Sequence, residues 1–428
     1  MKKSFLRVAF VACLPCFAMG LAVVTTTPAV AAEKQKLPPV SKSVIKLIEA
    51  ANKASEAKDW PTVLAKAKEA QAVPDLTDYD KYLVDRFMGV AYISLNDHAN
   101  GKVYLASVVK NPATPVEDRK HLIGPAVILA AEANDYASVI ELGNIAVRDN
   151  STNPEIYARM TLAYYSLNDL PNTLTFAQRG VDAAKLEGKT PEYLLYQLMA
   201  FAYEKQKDKQ NEAKALLIMA RDYGKADDWK FLFDFSMELL PLNMKGQSEI
   251  AALDIYRLRM ISQAGWVAQN YMEMSDFGQA VRSWGDARLA LQTGLSKGVL
   301  TQAKVGQLLN EVTANAKKDE PSLATVEKLA NTGKAVVGVG EAYYGYGRYA
   351  DAARAAQKAI GLGGPTLGEA TLLLAMCQVK QGDEATAVKT LTGVSGSVPI
   401  MKAADLWTAY LTRKTAQAQP APAAAATH

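Results

Sequence analysis

From Ser41 to about Thr415 apolar residues recur three and four positions apart among abundant Ala, Leu, Lys and Glu, and no stretch alternates as a half-buried strand would. The pattern predicts an all-α chain. One motif keeps returning within it: an apolar helix with a small residue, a tyrosine three positions on, and a short Asn-Asp or Gly turn. Gly89 and Tyr92, Ala200 and Tyr203, Ala268 and Tyr271, and Gly340 and Tyr343 follow this form. A single helix pair of this kind cannot bury its own apolar face, so successive pairs must stack. Pro74, Pro112, Pro154, Pro191 and Pro365 fall where helices stop and mark the joints between units.

The clearest unit, near 333–365, reads Gly340, Tyr343, the turn from Tyr346 to Tyr349, then Ala352, Ala359 and Pro365. Another reads Ala268, Tyr271, a turn at Ser275, Asp276 and Phe277, then Ala280, Trp284 and Ala287. A third reads Gly89, Tyr92, Asn96, Asp97, Gly101, Leu105 and Pro112. Fainter units carry turns at Lys58-Asp59, Asn134-Asp135, Asn168-Asp169 and Gly382-Asp383, and the one at Lys207-Asp208 reads as needing an inserted residue. These residues resemble the tetratricopeptide repeat family, whose unit is ~34 residues long. The resemblance implies a right-handed α-solenoid of antiparallel helix pairs, a TPR-like superhelix of about eight to ten units with some degenerate. The small slots let helices approach closely, so Gly340→Leu should overpack its contact.

The expected layout is a signal peptide (1–32), a linker (33–42) and N-terminal repeats (43–224). A degenerate helix pair (225–263), one further repeat (264–297) and an inserted or degenerate pair broken at Pro321 (298–332) come next. C-terminal repeats with a capping helix (333–415) and an Ala/Pro tail (416–428) complete the chain. The first segment has Lys2, Lys3 and Arg7 before an apolar run from Val8 to Val24 and small residues at Ala29 to Ala32, which is the layout of a secretory signal cut near Glu33. An uncleaved anchor is the alternative, because the run approaches the length a bilayer requires. Cys13 and Cys16 lie in this segment, so export would leave Cys377 without an intramolecular disulfide partner. The formal charge is +4, three of those positives belong to the signal, and the remainder offers no field for nucleic acid or an anionic membrane.

Chemistry is sparse. His98, His121 and His428 are the only histidines, and no Cys, His, Asp or Glu set has metal-ligand or acid–base spacing. Gly338-Val339-Gly340, Gly333-Lys334 and Gly393 to Ser397 are near misses of phosphate-loop and nucleophile motifs, better explained by turns and packing. The reading is therefore non-enzymatic, with no cofactor and no metal. In the family resembled, the first helix of each unit lines an inner groove. By register the groove positions here are Arg86, Val90, Leu162, Tyr165, Gln197, Phe201, Glu204, Gln269, Met272, Glu341, Tyr344 and Met376. The Lys, Arg and Asn set that grips a peptide carboxylate in some family members is missing from these slots, so an apolar or extended partner segment fits better. The expected protein is an exported scaffold binding protein or peptide partners in a Gram-negative envelope, periplasmic or peripherally associated. A periplasmic carrier of a small apolar ligand or lipid is the alternative.

Overall fold

The computed structural model describes residues 37–241, 244 and 246–413. The expected signal, residues 33–36 of the expected linker and the Ala/Pro tail lie outside the described residues. Those that are described contain helices and turns and no strand, so the all-α expectation holds. None of the described helices is long and apolar enough to cross a membrane.

The chain opens with the pairs α1 (Ile45–Glu56) and α2 (Trp60–Gln71), α3 (Asp78–Ser94) and α4 (His98–Lys110), and α5 (Val116–Glu132) and α6 (Tyr136–Arg148). It continues with α7 (Pro154–Ser166) and α8 (Leu170–Leu186), then α9 (Tyr193–Gln206) and α10 (Lys209–Tyr223). Each helix packs on the one before, and α1 on α3, α5 on α7 and α7 on α9 pack as well. The odd-numbered helices therefore line one side of the stack, with α3 and α5 joined through Tyr82, Arg86 and Asp118. Burial is shared along the stack, with one apolar cluster joining α1 to α4 and a second joining α4 to α8.

A single local device makes the hairpins. Lys58, Asn96, Asn134, Asn168 and Lys207 all have left-handed backbones, with φ of 56, 61, 55, 60 and 60°. The aspartate that follows each of them caps the next helix: Asp59, Asp97, Asp135, Asp169 and Asp208 accept from the backbone N–H three residues on. Asn adopts the left-handed region more readily than most residues, and Asp at N-cap satisfies an orphan donor, so Asn-Asp encodes both halves of the turn. Counted back from the left-handed residue, the small slot lies seven positions and the tyrosine slot four positions earlier. Ala200 and Tyr203 obey this spacing to Lys207 without any inserted residue, which corrects the sequence expectation.

The next unit also differs from expectation. α13 (Ala268–Ala280) runs straight through Ser275, Asp276 and Phe277, and the turn falls instead at Arg282, with φ 61°, before α14 (Trp284–Ser296). Its true small slot is the buried Ser275, two helical turns beyond Ala268. Arg282-Ser283 stands where the Asn-Asp signal would be, which is why the register slipped. Pro154 likewise starts α7 instead of stopping a helix.

Beyond α10 the stack changes character. α11 (Ala226–Glu238) leads to α12 (Gln247–Ser262), which makes its main contacts with α13 and with the last helix, α21 (Val398–Leu411). Every residue from Ala251 to Arg259 is buried, so α12 has no solvent face in this stretch. α15 (Gln302–Asp319), a 3₁₀ turn at Glu320–Ser322 and α16 (Leu323–Leu329) form an excursion. α17 (Gly333–Gly345) packs directly on α14 across it. α18 (Tyr349–Leu362), α19 (Leu367–Lys380) and α20 (Glu384–Leu391) resume the stack, and α21 returns to pack on α10, α12 and α19. Trp229 of α11 meets Tyr410 of α21 edge-on at 5.5 Å, and Lys402 donates to the Leu239 carbonyl at 2.7 Å. The C-terminal half thus closes on itself around α12, within one apolar cluster that reaches from Ala158 to Tyr410.

Candidate functional site

The odd-helix wall of the N-terminal half carries seven of the twelve groove positions. On α3, Arg86 and Val90 are half-buried one turn apart. The Arg86 guanidinium lies 3.5 Å from Asp118, whose carboxylate also accepts the Tyr82 hydroxyl. Arg86 borders a hollow of about 500 Å³ between α1 and α3, lined by Ile45, Ile48, Glu49, Lys53 and Phe87. On α7, Leu162 and Tyr165 are half-buried, and on α9 Gln197 is half-buried while Phe201 and Glu204 are exposed.

Tyr165 and Phe201 lie on successive odd helices with ring centroids 6.2 Å apart, and the Lys205 ammonium sits 4.5 Å over the tyrosine ring. Phe201 is 40% exposed and Phe231 of α11 53% exposed, an unusual state for so large an apolar side chain. Phe231 stacks on Phe235 at 6.3 Å, and both line a second hollow of about 450 Å³ with Glu204, Lys207, Glu212, Asp234 and Glu238. Aromatic faces of this kind supply large contact area at low entropic cost, and the alternating charges around them suit the polar flanks of a bound segment. The sequence register found Phe201 and Glu204. It missed Phe231, because α11 lacks the tyrosine slot and Asn-Asp turn from which register is counted.

The remaining positions behave differently. Gln269 is exposed on α13 and donates to Glu273 at 2.6 Å, while Met272 is half-buried against the cluster of Tyr271 and Leu291. Glu341, Tyr344 and Met376 are 1%, 4% and 0% exposed. They cannot meet a partner as the structure stands, because α12 fills the space that α17 and α19 would otherwise face. Glu341 instead binds Arg257 of α12, and the Arg257 guanidinium lies 4.4 Å over the Tyr344 ring. The predicted set is brought together on α7 and α9 and is interior on α17 and α19.

Among the described residues no group of His, Cys, Asp or Glu is placed to hold a metal ion. Cys377 is buried in α19, and burial pushes its thiol up to about 12, the opposite of an activated nucleophile.

No protein-family model matches the sequence, and no curated protein matches it at a significant level. Solved structures do resemble the fold. A tetratricopeptide repeat protein from Parabacteroides merdae is similar at 11% identity, over 76% of this chain and 98% of that one, with a TM-score of 0.26. The structure of Naa15/Naa10 bound to HypK-THB is similar at 13% identity, over 82% of this chain and 63% of that one, also at 0.26. The Cut9-Hcn1 hetero-tetramer of the APC/C is similar at 12% identity, over 86% and 66%, at 0.23. These are likenesses between helical-repeat stacks and extend to fold alone.

Proposed function

We propose that the protein is an exported, non-enzymatic scaffold that holds an extended or helical segment of a protein partner against its odd-helix wall and the adjoining face of α11. The observation that carries this reading is the run of solvent-reachable aromatics, Tyr165, Phe201 and Phe231, on helices that otherwise bury their apolar residues. The signal-like start supports a periplasmic location with peripheral envelope association, and Gln269 and Met272 extend the contact surface only where α13 is open. Outer-membrane assembly, polysaccharide export, pilus biogenesis and division-coupled envelope maintenance are candidate settings by analogy of fold.

Site-specific photo-crosslinking in cells tests it. A crosslinker at Phe201 or Phe231 should trap a polypeptide in a discrete adduct. One at Val103 of α4, which is 58% exposed but off this wall, should trap none. Equal labelling at all three sites, or none at Phe201 and Phe231, would remove the proposal. Intact-mass measurement of the exported chain should place its first residue near Glu33.

A further inference from the structure

Arg257 sits at the centre of a charged cluster sealed inside the C-terminal half. Its Nη1 donates to Asp254 Oδ1 at 2.8 Å and to Glu341 Oε2, and its Nη2 donates to Asp286 Oδ2 at 2.6 Å. All four side chains are at most 4% exposed. They join three elements: α12 through Asp254 and Arg257, α14 through Asp286, and α17 through Glu341. Asp286 is well satisfied, since Arg257 Nε and Ser283 Oγ also donate to it, at 3.2 and 2.7 Å. Asp254 and Glu341 instead share one guanidinium nitrogen, and Glu341 Oε1, although fully enclosed, has no hydrogen-bond partner among the described residues.

The charges do not balance. With three carboxylates ionised around one guanidinium, two negative charges stay uncompensated in an interior shielded from solvent, where an unpaired charge is strongly disfavoured. Neighbours on the packed elements do not cure this. α17 adds the enclosed Tyr344 hydroxyl, itself without a partner among the described residues, and α18 adds Tyr349. α19 adds Glu369 and Cys377, together with Lys380, which feels Asp286 and Arg257 from the surface end of the helix. α21 adds Trp407, whose indole N–H donates to the Asp254 carbonyl at 3.1 Å. The remedy available to a buried acid is to keep its proton. Burial, and then the nearby Glu341 charge, hold the Asp254 carboxyl well above the usual carboxylate range, and burial also raises Glu341.

We propose that Asp254 and Glu341 form a proton-binding latch: a proton kept on one of the two acids at neutral pH locks α12 to α14 and α17, and its loss loosens α12 within the closed C-terminal half. The inference is independent of what binds the odd-helix wall. Its direction follows from linkage. A carboxyl raised in the folded state contributes stability that is complete below its unfolded value of about 4, and the contribution is lost as pH rises through the folded value.

Hydrogen exchange of the full chain between pH 5 and 9, corrected for intrinsic rates, reads the latch directly. Protection of residues 251–259 should fall by up to about tenfold per pH unit, while that of α3 and α4 stays level. In Glu341→Gln, which keeps the shape and removes a charge, the same slope should flatten to under about twofold per unit, with higher protection than wild type at pH 9. Infrared spectroscopy of the wild-type protein at pH 7 supplies a readout that depends on no variant. A protonated-carboxyl stretch should be present and should disappear together with α12 protection as pH rises. Absence of that band, pH-independent protection of α12, or an unchanged slope in Glu341→Gln would each overturn the latch.

Discussion

At the scale of the residue, Asp80 shows how a buried charge is made safe without a cation. It is 0% exposed, and its carboxylate accepts from Ser41 N at 3.0 Å, Ser41 Oγ at 2.5 Å, Thr77 N at 3.0 Å and Thr77 Oγ1 at 2.6 Å. Burial alone would raise the group, but the Ser41 donors and then those of Thr77 outweigh it and hold the acid below the usual range. A lowered acid contributes stability above its unfolded value of about 3.9, and that stability is lost as pH falls through the folded value. We therefore expect amides of α1 and α3 to lose protection in hydrogen exchange between pH 5 and 2. Asp80→Asn should cost about 1–3 kcal/mol at pH 7, because an amide leaves donors facing donors in a closed site. Unchanged acid sensitivity in Asp80→Asn would show that a group other than Asp80 carries the acid response. The buried cluster at Arg257 is the converse arrangement, with too few donors for its acids, and so responds to pH in the opposite sense.

At the scale of the element, close approach decides where helices can cross. Gly285 of α14 lies against the backbone at the end of α17: a Cβ placed there would stand 2.7 Å from the Tyr346 amide nitrogen, with the Gly345 carbonyl nearer still. Backbone cannot rotate aside as a leucine can, so Gly285→Ala should destabilise by about 1–3 kcal/mol, measured as a lowered midpoint in chemical unfolding. Gly340→Ala meets the flexible Leu373 Cδ2 at 2.7 Å and should cost less than Gly285→Ala; the reverse order would contradict this account. The same scale explains what the sequence made legible. Repeated Asn-Asp pairs specify a left-handed residue and an N-cap together, so the groove positions on α3 and α7 could be read by counting, and Lys207-Asp208 carries the same device less visibly for α9. Where Arg282-Ser283 replaces that signal the register slipped by two turns. α12 was unreadable as an interior helix because Asp254, Arg257 and Arg259 look like a surface pattern until distant partners on α14 and α17 are known. That concealment is why counting by register places Glu341, Tyr344 and Met376 on an open face, whereas the structure buries them.

At the scale of the molecule, two halves of one stack solve burial differently. From α1 to α8 each helix packs only on helices close to it in the chain, so stability there is a sum of local interfaces and the odd-helix wall stays open. In the C-terminal half α21 reaches back across the chain to α10 and α12, so removing one contact there should be felt by all the helices it encloses. Trp407 is the natural point to test this, being 0% exposed and hydrogen-bonded to the Asp254 carbonyl of α12 at 3.1 Å. Trp407→Ala should cost about 3–5 kcal/mol, yet the loss should be confined. We expect chemical unfolding to split into an early step that exposes α12, α17, α19 and α21 and a later one, near the wild-type midpoint, that melts α3 to α8. Hydrogen exchange would assign the two steps to their helices. If the variant instead melts in one step with every helix weakened equally, the halves are a single cooperative unit and the open wall depends on the closed half after all.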